Sequence, residues 1–276
     1  ANGGKLEKVD TTKYRFTPHA NFVGTVNLSY TVVDGNGGSI SADNTITINP
    51  VNDRPVRTAG NVGTLNLLED ADFTSMGLAG VTYSKGGGDD EASQTLDIKA
   101  KTLPATTTFG TVYKADETTV VNVGDALTLA ELRGLKFKPT ANKNGTANFV
   151  FEVTDRGTTN AANATDKLTL TETLTIDVKA FNDTPVLPTN AIKFRTKNGT
   201  TFTATERKAT EDQDFEFDVD DLINGVVDPD LVNDSNPTDV LTVQSGNVSA
   251  SNGSISYANN KWTFTPNSNF SGNAQI

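Results

Sequence analysis

Acidic side chains recur at corresponding places in this chain, and the chemistry they most directly offer is the binding of a hard cation. An Asn-Asp pair precedes an x-Pro step at Asn52 and Asp53, and again at Asn182 and Asp183. Ca²⁺ takes about six to eight oxygen ligands from carboxylates, amide side chains and backbone carbonyls. Each residue alone is better explained as a turn residue that caps local backbone groups. The combined set predicts a calcium site, because neighbouring carboxylates repel one another unless a proton or a cation bridges them.

Immunoglobulin-like topology would bring further acids to these pairs, since the B–C and F–G loops of a sandwich face the connector that enters it. The predicted ligands at the first connector are Asn52, Asp53, Asp89, Asp90 and Asp155. Those at the second connector are Asn182, Asp183, Asp228 and Asp230.

The sequence contains few residues suited to other kinds of chemistry. The chain has no cysteine and a single histidine, His19, which occupies a variable place in a repeated motif. Thiolate metal sites and disulfides are therefore excluded, and a Ser-His-Asp triad is not supported. Nothing separates a glycosidase-like carboxylate pair from the many turn aspartates, and the glycines at 86–88 lack the Lys-Ser/Thr of a phosphate loop. We therefore expect a protein that is not an enzyme.

Charge and hydropathy exclude two further classes of partner. The chain carries 34 acidic and 23 basic residues, a net charge of −11, whereas nucleic-acid binding needs clustered Lys and Arg. No apolar run approaches the roughly 18 residues that would span a bilayer. The first residues, ANGGKLEK, lack the charged-then-apolar pattern of a signal peptide. We expect no nucleic-acid binding, no membrane insertion, and an export signal outside this segment.

The elements that must position the acids recur as well. One decapeptide occurs three times, as FTPHANFVGT from Phe16, FKPTANKNGT from Phe137 and FTPNSNFSGN from Phe264. The ND-x-P connector recurs twice, and so does an acidic pair before an extended stretch, at Glu69–Asp70 and Glu211–Asp212. Three landmarks in a constant order predict tandem domains.

Period-two alternation follows the first two decapeptides. Val26, Leu28, Tyr30 and Val32 alternate with polar residues, as do the residues from Phe149 to Val153. This pattern is typical of half-buried strands, and each domain would end in a hairpin leading into the connector. Short helical turns are predicted only near ALTLAELRGL and DDLING, and strands at residues 214–221 and in SISYANNKWTFTP. Trp262 is expected to pack in a core or at a sheet edge, with a sugar-stacking platform as the alternative. The fold class is all-β, with tandem Greek-key β-sandwiches end to end.

The landmarks divide the chain into three parts. Residues 1–50, the N-terminal segment, hold the last strands of one domain; residues 51–182, the central segment, form a complete domain; residues 183–276, the C-terminal segment, hold the first strands of a third. Each end alone would leave an open sheet edge and an uncovered apolar face. The expectation is a fragment cut across a repeat, with strand donation between the two ends, within or between chains, as the alternative.

The succession of ED, DPD, FTPNxNFxG, YTVxDGxGG and NDxPV resembles the cadherin-like repeats of large bacterial adhesins of the repeats-in-toxin type. It covers nearly the whole chain, although the central segment has GGGDDE in place of DPD. The resemblance implies secretion to the bacterial surface, Ca²⁺ at domain junctions, and neighbouring repeats of the same protein as partners. By analogy with cadherins, Glu69 and Asp70 would join the second connector, and Glu211 and Asp212 would serve a further junction.

The leading hypothesis is a calcium-rigidified extender or adhesion segment. The alternative is a glycan- or peptide-binding module on the irregular lead-in SMGLAGVTYSKGGG, which starts at Ser75, with a host or neighbouring-cell surface as partner.

Overall fold

The computed structural model describes residues 3–161, 163–186, 193–195, 201–203, 212–223, 226–230, 240–244, 246, 248–272 and 274–276. The chain is an all-β protein of tandem sandwich-type domains, which confirms the predicted fold class. Contacts divide it into two units, Ala1–Lys179 and Ala180–Ile276. The three-domain division proposed from the sequence stays a prediction.

Two hairpins make up the N-terminal segment. Their strands are β1 (Gly4–Lys8), β2 (Tyr14–Pro18), β3 (Gly24–Val33) and β4 (Ser39–Ile48). β1 pairs with β2 and β3 with β4, both antiparallel. The alternation that predicted a strand from Val26 to Val32 is thereby confirmed.

The described residues of the central segment form ten strands and one short helix. These elements are β5 (Val56–Ala59), β6 (Thr64–Leu68), β7 (Thr74–Ser75), β8 (Thr82–Ser84), β9 (Asp97–Thr102), β10 (Gly110–Tyr113), β11 (Ala126–Leu127), α1 (Leu129–Arg133), β12 (Lys136–Pro139), β13 (Gly145–Thr154) and β14 (Thr169–Lys179). One sheet has the order β11-β9-β13-β14-β6 and a second the order β10-β12-β7, while β5 pairs with β8. Successive strands from β9 to β13 alternate between the two sheets, as in Greek-key sandwiches.

The core of the central segment lies between these sheets. Phe149, Phe151 and Val153 of β13 are fully buried, as the alternation predicted. The first strand of the large sheet, β6, runs parallel to the last, β14, with Leu65 opposite Ile176. The segment's two ends are thus joined side by side, which brings the entering connector and the final strands into one framework.

The irregular lead-in contributes to this same core. Met76, Leu78 and Val81 are exposed by no more than 2%. Burial of about this extent stabilises a domain by roughly 1.5–3 kcal/mol for each large apolar side chain. Residues held in this way are packing residues, so the lead-in offers less free surface to a ligand than the sequence suggested.

The C-terminal segment is described in part. Its elements are β15 (Lys193–Arg195), β16 (Thr201–Thr203), β17 (Phe215–Phe217), α2 (Val219–Ile223), β18 (Gly253–Ala258) and β19 (Lys261–Pro266). The predicted β18–β19 hairpin is confirmed, and Trp262 is 1% exposed in a small core with Phe217 and Phe264.

The strand predicted over residues 214–221 is only partly correct. β17 ends at Phe217, and Val219 begins helix α2 instead of taking a third inward strand position. The reason lies in the partner strand. Phe217 pairs with Trp262, and β19 begins one residue before Trp262, at Lys261, directly after the turn at Asn259 and Asn260. If β17 continued in this register, Val219 would lie opposite the turn and its backbone groups would have no strand partner.

Each decapeptide has the same backbone shape. Asn21, Asn142 and Asn269 have φ of 59°, 55° and 59°. Asparagine tolerates this left-handed region better than most residues. The recurrence in sequence is thus a recurrence in conformation.

A glycine also faces the phenylalanine that begins each decapeptide. Gly4 lies against Phe16, Gly110 against Phe137, and Gly253 against Phe264; a Cβ at any of these glycines would overlap the ring and the next backbone carbonyl. The three pairs sit at corresponding positions of the β1–β2, β10–β12 and β18–β19 ladders. No sequence pattern that we considered had indicated this contact.

Towards its turn, the β3–β4 hairpin exposes the face that its counterpart buries, although Val26 of the same face is buried. Tyr30 and Val32 are 48% and 50% exposed, whereas the corresponding Phe151 and Val153 of β13 are fully covered. Part of the apolar face of β3 is therefore uncovered.

Candidate functional site

The first connector is fixed to the central segment by the side chain of Asn52. Its Nδ2 donates to Asp155 Oδ1 at 3.0 Å and to the carbonyl of Asp166 at 2.8 Å. Its Oδ1 accepts a hydrogen bond from Gln94 Nε2 at 2.8 Å. The amide is used at both ends, so Asn52 joins the connector to the loop after β13 and to the loop before β9.

Asp53 is fixed through its backbone. The Asp53 N–H donates to Glu91 Oε1 at 2.5 Å. The Asp53 and Asp90 side chains are half-buried, and both border a cleft of about 220 Å³ that also contains His19 and Asn21 of the first decapeptide. Two of the predicted acids, Asp53 and Asp90, therefore do approach each other at the connector.

Asp155 ends β13 and caps the turn that follows. Its Oδ1 accepts from Gly157 N at 2.9 Å and Leu168 N at 3.0 Å, in addition to Asn52. Its counterpart Asp34 accepts from Asn36 N and Gly38 N in the same manner. Because three donors meet Oδ1 of Asp155, its carboxylate is held in one orientation.

Three oxygens of this network have no hydrogen-bond partner among the described residues. They are Glu91 Oε2, Asp155 Oδ2 and Gln94 Oε1. Their residues are 2%, 0% and 1% exposed, so water does not satisfy these atoms freely. Each side chain has its other polar atom bound and this oxygen left over. Buried unpaired acceptors are costly, and oxygens without donors are the ligands that Ca²⁺ prefers.

The electrostatics of the cluster point the same way. Burial raises the pKa of Glu91, and the nearby charges of Asp53, Asp90 and Asp155 raise it further, against the lowering effect of the Asp53 N–H. A carboxyl whose charged form is disfavoured by burial and by like charges gains most from a cation that neutralises it.

The other predicted ligands of the first connector are placed differently. Asp89 is exposed, and its backbone carbonyl accepts from Ala92 N at 3.2 Å. Within the described ranges, no three acidic or histidine side chains converge as a finished metal centre. The donor chemistry thus fits Ca²⁺, while the set of ligands stays a prediction.

The second connector repeats part of this arrangement. The Asp183 N–H donates to Asp230 Oδ2 at 2.7 Å, as Asp53 donates to Glu91. The Asp230 N–H in turn donates to Asp228 Oδ1 at 3.1 Å, and both aspartates are buried. Asn182 is exposed, and its Nδ2 donates to the Asp183 carbonyl at 3.3 Å.

The acidic pairs that precede the sandwiches lie elsewhere. Glu69 is buried and its N–H donates to the carbonyl of Lys179 at 2.8 Å. Asp70 Oδ1 accepts from Asn142 N, and Asp212 Oδ1 accepts from Asn269 N, both at 2.9 Å. Glu211 lies outside the described residues. A metal-binding role for these four residues stays a prediction.

Comparison with known proteins decides the family. The family model described as "Cadherin-like domain" matches residues 1–49 and 182–276, together more than half of the chain. The chain belongs to the cadherin-like domain family. Cadherin-like domains are extracellular and the family is non-enzymatic, and membership suggests an adhesion or extender role.

One solved structure similar to this cadherin-like chain is the protocadherin gammaB7 EC3-6 cis-dimer structure. It shares 14% sequence identity at a TM-score of 0.34, and the match covers 98% of this chain and 59% of that one. No protein with a curated description matches the cadherin-like chain. Among the helices that the structure describes, none has the length and apolar character to cross a membrane.

The ligands predicted from the sequence did not include two residues of this network, Glu91 and Gln94. Glu91 stands last in the triplet DDE and takes the place that Asp230 has in DPD, since both accept the N–H of the connector aspartate. Aligning the two triplets by their last acid would have identified it. Gln94 had no comparable signal, because its role depends on contact with Asn52 across the fold.

Proposed function

We propose that this chain is a calcium-rigidified extender and adhesion segment of a secreted bacterial surface adhesin of the repeats-in-toxin type. Its partners are then the neighbouring repeats of the same protein, with a host or neighbouring-cell surface glycan or protein as the target of the whole adhesin. Membership of the cadherin-like family supports the adhesive role, and the first connector supports the part played by calcium.

The observation that carries this proposal is that each of two buried carboxylates has one oxygen in hydrogen bonds and one oxygen without a partner among the described residues. Glu91 uses Oε1 to hold Asp53 N, and Asp155 uses Oδ1 to hold the turn and Asn52. The second oxygen of each is buried and has no partner in the described part of the chain. A side chain that is oriented through one oxygen presents the other as a ligand at little further cost in conformational entropy.

Ca²⁺ bound here would neutralise carboxylates that otherwise repel one another and would link the connector to two loops of the central segment. Glu91, Asp155 and Gln94 would supply the free oxygens, and Asp53 and Asp90 lie near enough to influence the charge of Glu91. At the second connector the corresponding acids are Asp183, Asp228 and Asp230. Stiff connectors between successive sandwiches are what an extender needs.

Calorimetry on matched variants tests calcium binding. Glu91→Gln removes one charge and one free ligand oxygen, and we expect a loss of calcium affinity of about 10- to 100-fold at this site. Glu152→Gln is the control, since it removes the same charge from β13 of the same segment, where Glu152 pairs with Lys101. Equal calcium heats in both variants and the parent chain would contradict the assignment.

Small-angle scattering tests the mechanical role. With calcium, we expect a larger maximum dimension and a narrower range of shapes than with chelator. An unchanged scattering profile, in a protein that calorimetry shows to bind calcium, would leave a calcium site without an extender function.

A further inference from the structure

The loop between β8 and Glu91 is longer than its counterpart in the C-terminal segment. Val56 pairs with Ser84, and Val186 pairs with Val227, so Ser84 and Val227 correspond. Glu91 and Asp230 correspond as acceptors of the connector N–H. Six residues separate Ser84 from Glu91, and two separate Val227 from Asp230. The central segment therefore carries four additional residues in this loop, and they include the three consecutive glycines.

The glycines of this loop are in contact with the preceding segment. A Cβ on Gly87 would overlap the carboxamide of Asn21, and one on Gly88 would lie 3.1 Å from the Asn21 Cβ and carbonyl oxygen. A Cβ on Gly86 would meet the Asp53 carbonyl at 2.7 Å and overlap Glu91 Oε2. Side chains at these positions would separate the loop from the first decapeptide and from the connector. The run of glycines is thus explained by close approach.

Both partners in this contact are held by local hydrogen bonds. Asn21 is in the left-handed region, and its turn is closed by the Phe22 N–H, which donates to the His19 carbonyl at 3.2 Å. The loop is tied back by Lys85 Nζ, which donates to the Ala92 carbonyl at 2.5 Å, and ends at Glu91, which holds Asp53 N. A contact between two fixed turns transmits orientation, whereas a contact between mobile loops does not.

We propose that residues 85–90 form a brace that holds the first decapeptide turn against the central segment without any metal. The contact between Asn21 and Gly87 uses none of the three unpaired oxygens, so we expect this contact to persist in chelator. The N-terminal and central segments would keep one relative orientation in chelator.

Distance measurement by paired spin labels tests the brace, and the absence of cysteine makes labelling specific. Ser41→Cys on β4 and Thr173→Cys on β14 place labels on exposed positions of the two segments. In chelator, we expect a narrow distance distribution in the parent chain. Gly87→Leu or Asn21→Gly should broaden it about twofold, because the segments then sample other orientations.

Asn142→Gly is the matched control, because it makes the same change at the same backbone conformation in the second decapeptide. Its distribution should stay narrow. Asn21→Gly retains a backbone that glycine adopts readily, so it remains informative if Gly87→Leu fails to fold.

A parent distribution that is already broad in chelator, or variants that stay as narrow as the parent, would overturn the brace. A second label pair, Thr173→Cys with Ser256→Cys, reports the response to calcium across the other connector. Failure of that pair to respond would count against the calcium-stiffened extender and leave the brace standing. If the second pair responds to calcium but the first pair shows no effect of the brace variants, only the brace is refuted.

Discussion

The backbone N–H of Asn142 donates a 2.9 Å hydrogen bond to Oδ1 of Asp70. The same bond, at the same length, joins Asn269 to Asp212 in the C-terminal segment. Both aspartates are in the left-handed region, with φ of 62° and 59°. The acidic pair and the decapeptide are far apart in sequence. They are the acceptor and the donor of one contact that occurs twice in this chain.

Replacing Asp70 by alanine should destabilise the central segment by about 1–2 kcal/mol, since it removes this bond and places alanine in a left-handed conformation that aspartate tolerates better. Asp70→Asn should retain most of the stability, because asparagine tolerates the conformation and still offers an acceptor. Urea denaturation measures both. If Asp70→Asn instead lost calcium affinity at unchanged stability, Asp70 would be a metal ligand, as its position before the sandwich first suggested.

Gly253→Ala should destabilise the C-terminal segment by about 1–3 kcal/mol, because its Cβ would overlap the ring of Phe264 and the carbonyl of Thr265. Gly246→Ala is the control in the same segment, where a Cβ would meet no atom within 4 Å. Neither glycine has a left-handed backbone, so the difference between the two variants isolates the contact with the ring. Thermal unfolding that is equally affected by both would refute it.

Glu131 gives the central segment a defined dependence on acid. A hydrogen bond from Lys114 Nζ, followed by those from Thr128 N and Oγ1, lowers the pKa of Glu131 from 4.5 to about 2. A carboxyl with a lowered pKa adds stability above pH 4.5 and loses it as the pH falls towards 2. Melting temperatures should therefore show a gap between the parent chain and Glu131→Gln at neutral pH that closes over this range. A gap independent of pH would mean that the lost contribution is not electrostatic.

Glu91→Gln should have opposite effects in chelator and in calcium. In chelator at neutral pH, we expect it to stabilise the central segment by about 1–2 kcal/mol, because it removes a buried charge beside other acids while its amide oxygen still accepts from Asp53 N. In saturating calcium, the parent chain should be the more stable, because Glu91 contributes a negative charge to the ion and glutamine does not. Differential scanning calorimetry under both conditions compares them, and a variant that is destabilised in both would show that the parent carboxylate is already satisfied without metal.

The sequence predicted those features that depend on local pattern. Alternation placed Phe149, Phe151 and Val153 inward because a strand has only two faces. Helix α1 was anticipated from its leucine spacing, and its start is fixed by the reciprocal bonds of Thr128 and Glu131.

Features that depend on partners distant in the chain were not predictable in this way. Val219 fits the alternation of β17, yet the strand stops where its partner turns. Glu91 was not predicted as a ligand because four additional residues precede it, so its distance in sequence from the connector differs from that of Asp230. Gln94 enters the site only through Asn52, a contact that no spacing rule encodes.

The glycine–phenylalanine contact has a practical consequence for protein engineering. Its two members are 12 positions apart at Gly4 and Phe16, 27 apart at Gly110 and Phe137, and 11 apart at Gly253 and Phe264. The same ladder thus tolerates a two-residue turn between β18 and β19 or a link that contains β11 and α1. Peptides inserted between Asn259 and Asn260 should leave the β18–β19 ladder intact. Contact between Gly253 and the ring of Phe264 would show that the two strands have kept their register.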